Sequence, residues 1–157
     1  MSDGPTAGDE LVFMMGKFAA KFPTDRRYAK NHMWAKREGP VVWFGFSAYA
    51  VRLLQDVYFL EWSVDAPTRL REKQTIGNIE SSKAESELYA PAAGTLTEFN
   101  MLLMKDPTPI NVDLYGAGRL FAMECDDTGM LTPEQYQDHL AAAWKIAEKT
   151  IKGQMNE

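Results

Sequence analysis

The sequence of 157 residues predicts a single mostly-β domain with helices toward its two ends. Three observations carry that reading. Short runs rich in β-branched and aromatic residues recur, as in Val41–Phe46 and Val57–Trp62, and Gly, Pro, Asn and Asp punctuate the chain between them. A long segment near the C-terminus instead repeats its apolar residues at helical spacing, with Leu140, Ala143, Trp144, Ala147 and Ile151 on one stripe. The length suits one domain of about 100–200 residues, and 45% apolar residues is enough to build a core.

Taken in order, residues 1–10 read as a tail. Leu11, Met14, Met15, Phe18 and Ala19 then fall at helical spacing, which predicts a short amphipathic helix over 10–21, ending before Phe22-Pro23. Residues 28–36 and 41–46 flank Arg37-Glu38-Gly39-Pro40 and predict a hairpin, with His32 inside its first strand. Ser47 suits the N-cap of a short helix over 48–54. A strand at 57–62 is followed by a turn at Asp65-Ala66-Pro67. Residues 73–80 and 85–89 are the arms of a second hairpin with Lys83 at its tip, and 95–99 is a strand entered through Gly94. A helical turn over 101–105 is expected to be stopped by Pro107 and Pro109, and a last strand, 119–125, is approached through Gly116 and Gly118. Thr132-Pro133-Glu134-Gln135 opens the final helix: Thr132 as N-cap, Pro133 at the first helical position and Gln135 closing a capping box. That helix is expected to run to Gly153 and to dock its stripe on the sheet. The resulting division is a tail and short helix over 1–24, a β domain over 25–131, and a C-terminal helix over 132–157.

Composition excludes several functions. A net charge of −5 disfavours nucleic acid as a partner, because phosphate neutralisation needs a basic surface. Cys125 is the single cysteine, so no internal disulfide, CxxC pair or cysteine-built metal site is possible. No apolar run approaches the roughly 18–20 residues of a membrane span, and the acidic start lacks a secretory signal. A soluble cytoplasmic protein without a membrane partner is expected. His32 and His139 make no ligand spacing with Cys125, so no metal is expected. His139 reads as a surface residue and His32 as a structural one. No GxSxG, Walker A or GxGxxG motif is present, and Tyr115-Gly116-Ala117-Gly118 is too short to be a strong phosphate cradle.

The stretch Glu80-Ser81-Ser82-Lys83-Ala84 is more telling. A lysine in a turn is commonly just a solvated charge. Here small neighbours, Ser82 and Ala84, leave Lys83 open to another enzyme, while Glu80, Glu85 and Glu87 surround it with negative charge. Activation of a lysine as a nucleophile needs desolvation or a neighbouring cation, and this turn offers neither. The pattern suits a lysine that is modified rather than one that catalyses.

These residues resemble the H protein of the glycine cleavage system. The likeness covers about residues 28–124. It comprises Tyr28 with His32-Met33-Trp34, Gly45-Phe46-Ser47-Ala48-Tyr49-Ala50 and the Glu80-to-Ala84 turn. It continues through Tyr89-Ala90-Pro91-Ala92-Ala93-Gly94 with Glu98-Phe99-Asn100, and Asn111-Val112-Asp113-Leu114-Tyr115-Gly116-Ala117-Gly118. The resemblance implies a lipoyl-domain-like barrel-sandwich hybrid of two small antiparallel sheets, with a short internal helix and helices at both ends. It implies a non-catalytic carrier with lipoate amide-linked to Lys83. Glu80, Ser81, Ser82, Ala84 and Gly94 would shape recognition of the attachment turn, and His32 and Asn111 would lie near the arm. The implied partners are a pyridoxal-phosphate glycine decarboxylase, a tetrahydrofolate-dependent aminomethyltransferase, dihydrolipoyl dehydrogenase and a lipoylating enzyme. A biotin carrier would place methionines on both sides of the lysine, where this chain has Ser82 and Ala84. The chain departs from the family at Gln55, Leu114 and Arg119, where Gly, Pro and Trp are usual, and around residues 65–73. A divergent carrier of another lipoate-dependent system, such as sulfur-compound oxidation, and an unmodified scaffold of the same fold are the alternatives.

Overall fold

A computed structural model describes residues 9–155. Residues 1–8 of the expected tail and the side chain of Ile151 lie outside the described residues. The segment expected to be the first helix is a hairpin: Glu10–Met15 (β1) pairs antiparallel with Phe18–Pro23 (β2). Its sequence fits both periods. Leu11, Phe13 and Met15 alternate with exposed Val12 and Met14, and Phe18, Ala20 and Phe22 answer them on the second strand. Gly16 decides between the two. It takes φ 65° at the first position of a two-residue loop, a conformation glycine adopts freely and a helix interior excludes.

Arg27–Tyr28 (β3), Met33–Glu38 (β4) and Val41–Phe46 (β5) follow, and the expected hairpin joins the last two through Gly39. His32 is not in a strand; it sits in the turn before β4 with φ 71°. Helix Ala48–Leu54 (α1) is capped by Ser47, whose hydroxyl accepts the Ala50 N–H. Val57–Trp62 (β6), Thr68–Leu70 (β7), Thr75–Ser81 (β8), Glu85–Tyr89 (β9) and Gly94–Phe99 (β10) come next. Leu102–Lys105 (α2) is the expected helical turn. Pro109 does not only stop it but begins a further short helix, Pro109–Val112 (α3), at the position where a missing N–H costs nothing. Phe121–Glu124 (β11) precedes Pro133–Met155 (α4). At the start of α4 the Gln135 N–H donates to Thr132 Oγ1 at 3.2 Å and the Thr132 N–H to Gln135 Oε1 at 2.9 Å, the expected capping box.

The fold is mostly β. Its antiparallel sheets have the orders β1-β2, β3-β4-β5-β11-β10-β7 and β6-β8-β9. The six-stranded sheet is covered on both faces, and alternation along its strands divides the core. Met33, Ala35, Phe44, Phe121 and Met123 join Ile76, Ile79 and Leu88 of the three-stranded sheet in one cluster. Trp34, Trp43 and Ala122 join Met15, Phe22, Tyr49, Tyr136 and Leu140 in the other, beneath the N-terminal hairpin and α4. The stripe of α4 therefore packs on the hairpin as well as the sheet. Tyr28 and Tyr136 stack with ring centroids 4.5 Å apart, an arrangement that adds about 0.5–1.5 kcal/mol to their burial.

Candidate functional site: the Lys83 turn

Lys83 stands at the tip of the β8–β9 hairpin, with Glu80 opposite Glu85 at its base. The turn is ordered by one buried hydroxyl. Ser81 Oγ accepts the N–H of Ala84 at 3.2 Å and of Lys83 at 3.4 Å, and donates to the Ala84 carbonyl at 3.1 Å, while the Ser81 N–H reaches that same carbonyl. The turn is also fastened to its own domain. The Lys83 N–H donates to the Leu54 carbonyl at 3.3 Å, and the Ser82 N–H and hydroxyl donate to the Gln55 carbonyl. Its backbone is thus pinned to the end of α1 while the Lys83 side chain is exposed.

The anchor is itself unusual. Gln55 has φ 52° and ψ 140°, and Asp56 has φ 38°, regions that side chains other than glycine seldom occupy. Where the resemblance to the H-protein family has glycine, Gln55 takes a glycine-like backbone conformation. From there β6 begins, and Asn111 holds its first residue. Asn111 Oδ1 accepts the Val57 N–H at 2.8 Å and its Nδ2 donates to the Val57 carbonyl at 2.9 Å. A side-chain amide thereby acts as a neighbouring strand at the sheet edge, beside the Val57–Ser81 pair at the root of the turn.

Register places Phe59, Glu80 and Glu85 across the outer face of the small sheet, and Glu61, Asn78 and Glu87 in the next row. Acidic side chains therefore line the hairpin below the tip, and Glu87 accepts the Tyr89 hydroxyl at 2.9 Å. The ion pairs among the described residues use Arg26, Lys36, Arg37 and Arg119, and the Lys83 amine takes part in none. It is open to attachment of an acyl group.

Gly94 does not face this turn. It lies beyond the other end of β9, pairs with Leu70, and a Cβ there would come within 2.4 Å of the Glu124 carbonyl oxygen, so its role is close packing. His32 is also apart from the turn, at the opposite end of α1. Its Nδ1 is 3.0 Å from Tyr136 Oη and its ring lies 4.7 Å from that of Tyr49. Burial, and then the charge of His139 with its ring 5.3 Å away, push His32 down to about 4. His139, half-buried rather than on the open surface, has Nε2 3.1 Å from the Lys30 carbonyl. The glycine turn near residue 116 is no phosphate cradle, because the N–H groups of Gly116, Ala117 and Gly118 are all taken by Asp113. Burial and nearby Asp127 push the Cys125 thiol up to about 11, so it is not a reactive thiolate. Arg119 lies with its guanidinium carbon 3.7 Å from the centroid of Trp43, so a cation takes the place of the usual aromatic residue.

Sequence reasoning misses two contributors. Gln55 could have been found from its place in Leu-Gln-Asp, where a usual glycine signals positive φ. Tyr136 extends the α4 stripe one turn before Leu140, and its hydroxyl lies 2.7 Å from Ser47 Oγ.

Residues 26–152 match the family described as "Glycine cleavage H-protein". A glycine cleavage system H protein of Thermus thermophilus is 39% identical over 123 residues, covering 75% of this chain and 94% of the relative. A probable one from Haloarcula marismortui is 36% identical over 122 residues, covering 75% and 95%. The crystal structure of a glycine cleavage system H protein from Mycobacterium marinum superposes with a TM-score of 0.68 at 31% identity, covering 76% of this chain and 99% of that one.

Proposed function

Since the chain belongs to the glycine cleavage H-protein family, whose members are non-catalytic carriers of lipoate on a lysine, we propose that Lys83 is the attachment residue of this one. The observation that carries the proposal is the contrast within one turn: a backbone pinned by Ser81 and the end of α1, and an exposed amine outside every ion pair described. The residues fit an amide-linked lipoyl group. The amine is accessible, its neighbours are small, and no side chain must be displaced. The two larger sheets are read as the halves of a barrel-sandwich hybrid, with the hairpin tip projecting from the smaller half.

When bound, a lipoyl group supplies a dithiolane that accepts an aminomethyl group from glycine decarboxylase, yields it to the tetrahydrofolate-dependent aminomethyltransferase, and is reoxidised through dihydrolipoyl dehydrogenase. The chain's own part is positional. Ser81 and the Leu54 and Gln55 carbonyls fix the base of the tether, which raises the effective concentration of its far end at a docked partner. Glu80, Ser82 and Ala84 present the lysine to the lipoylating enzyme, and a cytoplasmic location suits a thiol carrier. Reconstitution of the loaded chain with the decarboxylase and aminomethyltransferase tests the pathway. Glycine-dependent methylene transfer that disappears in Lys83→Arg is expected. A loaded chain that supports no transfer would assign it to another lipoate-dependent system, the reading that the departures at Gln55, Leu114 and Arg119 favour.

A further inference from the structure

The end of α1 and the Lys83 turn complete each other. A helix leaves its last carbonyls without partners of its own. In α1 the Leu54 carbonyl takes the Lys83 N–H at 3.3 Å, and the Gln55 carbonyl takes the Ser82 N–H at 3.2 Å and the Ser82 hydroxyl at 3.3 Å. The place of the turn therefore follows the place of α1. With seven residues, α1 is too short to stand alone, so contacts outside it decide where it sits. Ser47 carries the first of them. It is 1% exposed, its N–H donates to the His32 carbonyl at 3.0 Å, and its Oγ lies 2.7 Å from Tyr136 Oη. Tyr136 is a firm anchor: it is fully buried on α4, its ring stacks on Tyr28, and its hydroxyl also lies 3.0 Å from His32 Nδ1. From Ser47 one row of peptide hydrogen bonds runs to the turn. The Val51 N–H donates to the Ser47 carbonyl at 3.1 Å, the Gln55 N–H to the Val51 carbonyl at 2.7 Å, and the Ser82 N–H to the Gln55 carbonyl.

We propose that Tyr136 is a positioning residue for Lys83: through Ser47 and α1, its hydroxyl holds the attachment turn in the form in which the lysine is presented. The inference rests on the carrier reading for what Lys83 does, while the coupling itself does not depend on it. Lengths decide which joint yields. N–H···O bonds span about 2.7–3.2 Å. The two bonds inside α1 fall within that range, whereas the three that tie α1 to the turn stand at or past its far limit. A shift of α1 along its axis by about 0.3 Å is enough to part them while the helix stays whole. Sideways movement is resisted elsewhere: Tyr49 packs edge-on against Phe13 and Trp144, and Arg52 lies over Phe18. The Tyr115 hydroxyl, which accepts the Ala48 N–H at 2.9 Å, shares the axial load, so loss of the Tyr136 hydroxyl should loosen the turn without freeing it. Ser81 orders the turn from within, and Tyr136 orients it from the far end of the helix.

The test is amide hydrogen exchange of the full, unmodified chain, read residue by residue by nuclear magnetic resonance. Tyr136→Phe keeps the stacked ring and removes only Oη. It is expected to speed exchange of the Ser82 and Lys83 N–H groups about fivefold, as local opening of the turn becomes easier. The Ser63 N–H, bonded to the Ile76 carbonyl at 2.9 Å at the other end of β6, is expected to stay within about twofold. Ser47→Ala should match Tyr136→Phe, and the double variant should exceed the faster single one by less than about twofold, since both cut one link. With a lipoylating enzyme and activated lipoate, Tyr136→Phe is expected to raise KM about threefold with kcat little changed, because a looser turn must be fixed on docking. Unchanged exchange at Ser82 and Lys83, an equal rise at Ser63, or an unchanged KM overturns the role. Should far-UV circular dichroism show Tyr136→Phe unfolded, Ser47→Ala carries the same readings. A wild-type chain that accepts no lipoate overturns the carrier reading instead, a distinguishable result because the exchange measurement needs no lipoate.

Discussion

At the N-terminal end of α1, Tyr136 Oη lies 2.7 Å from Ser47 Oγ and 3.0 Å from His32 Nδ1, and the Tyr115 hydroxyl accepts the Ala48 N–H while donating to the Lys21 carbonyl. Aromatic rings from the hairpin and α4 enclose this network. Seven residues later, at the C-terminal end, Gln55 and Asp56 hold positive φ, their side chains are not buried, and the adjoining carbonyls carry the lysine turn. One short helix therefore joins a satisfied, buried polar network to a strained exposed corner. The comparison separates two tasks: the first end fixes where α1 sits, and the second sets the base from which Lys83 projects. Strain is tolerated where surrounding contacts over-determine the backbone, and here those contacts are the Ser82, Lys83 and Asn111 hydrogen bonds.

The largest effect is expected where the two plans meet the edge strand. Asn111→Ala leaves the N–H and carbonyl of buried Val57 without partners, and should cost about 2–4 kcal/mol in urea unfolding. Little change would mean that water replaces the amide and that the corner is not held as described.

The buried end should be the acid-sensitive one. His32 is neutral in the fold and pushed down to about 4, whereas the unfolded chain takes up the proton near the ordinary 6.5. Its contribution is therefore fully present above about pH 6.5 and is lost as pH falls toward 4, by on the order of 2–3 kcal/mol. Urea midpoints between pH 7 and 4.5 should show this slope, and His32→Asn, which suits the φ of 71°, should flatten it.

Relief of strain should be smaller and of opposite sign. Gln55→Gly is expected to stabilise by about 1 kcal/mol, the backbone relief exceeding the added entropy of the unfolded chain. A loss of stability would show that the Gln55 side chain, not its backbone, supports the corner.

Much of this is legible without the structure. The β8–β9 hairpin, the Ser47 and Thr132 caps and the strand at 57–62 follow from local chemistry, because turn and cap residues act within a few positions of themselves. The expected first helix does not form because apolar residues at 11, 14, 15, 18 and 19 satisfy a helical period while 11, 13, 15 and 18, 20, 22 satisfy alternation, and pairing across Gly16 settles it. Strand β7 is invisible in the sequence because three residues carry no period; it exists through pairing with β10. Lys83 is identifiable from its neighbours, but the carbonyls that pin its turn come from residues 54 and 55, and such distant backbone contacts leave no local pattern. The pairing of Gly94 with Leu70, away from the attachment turn that it was expected to shape, is a non-local contact of the same kind.

The central claim is tested most directly by intact mass of the chain produced in a lipoate-supplied host, with Lys83→Arg beside it. A lipoyl increment on the wild type and none on the variant, with both unfolding at the same urea concentration, is the predicted result. An unmodified wild type in a host that lipoylates its own carriers, or an increment that persists in Lys83→Arg, would contradict the assignment.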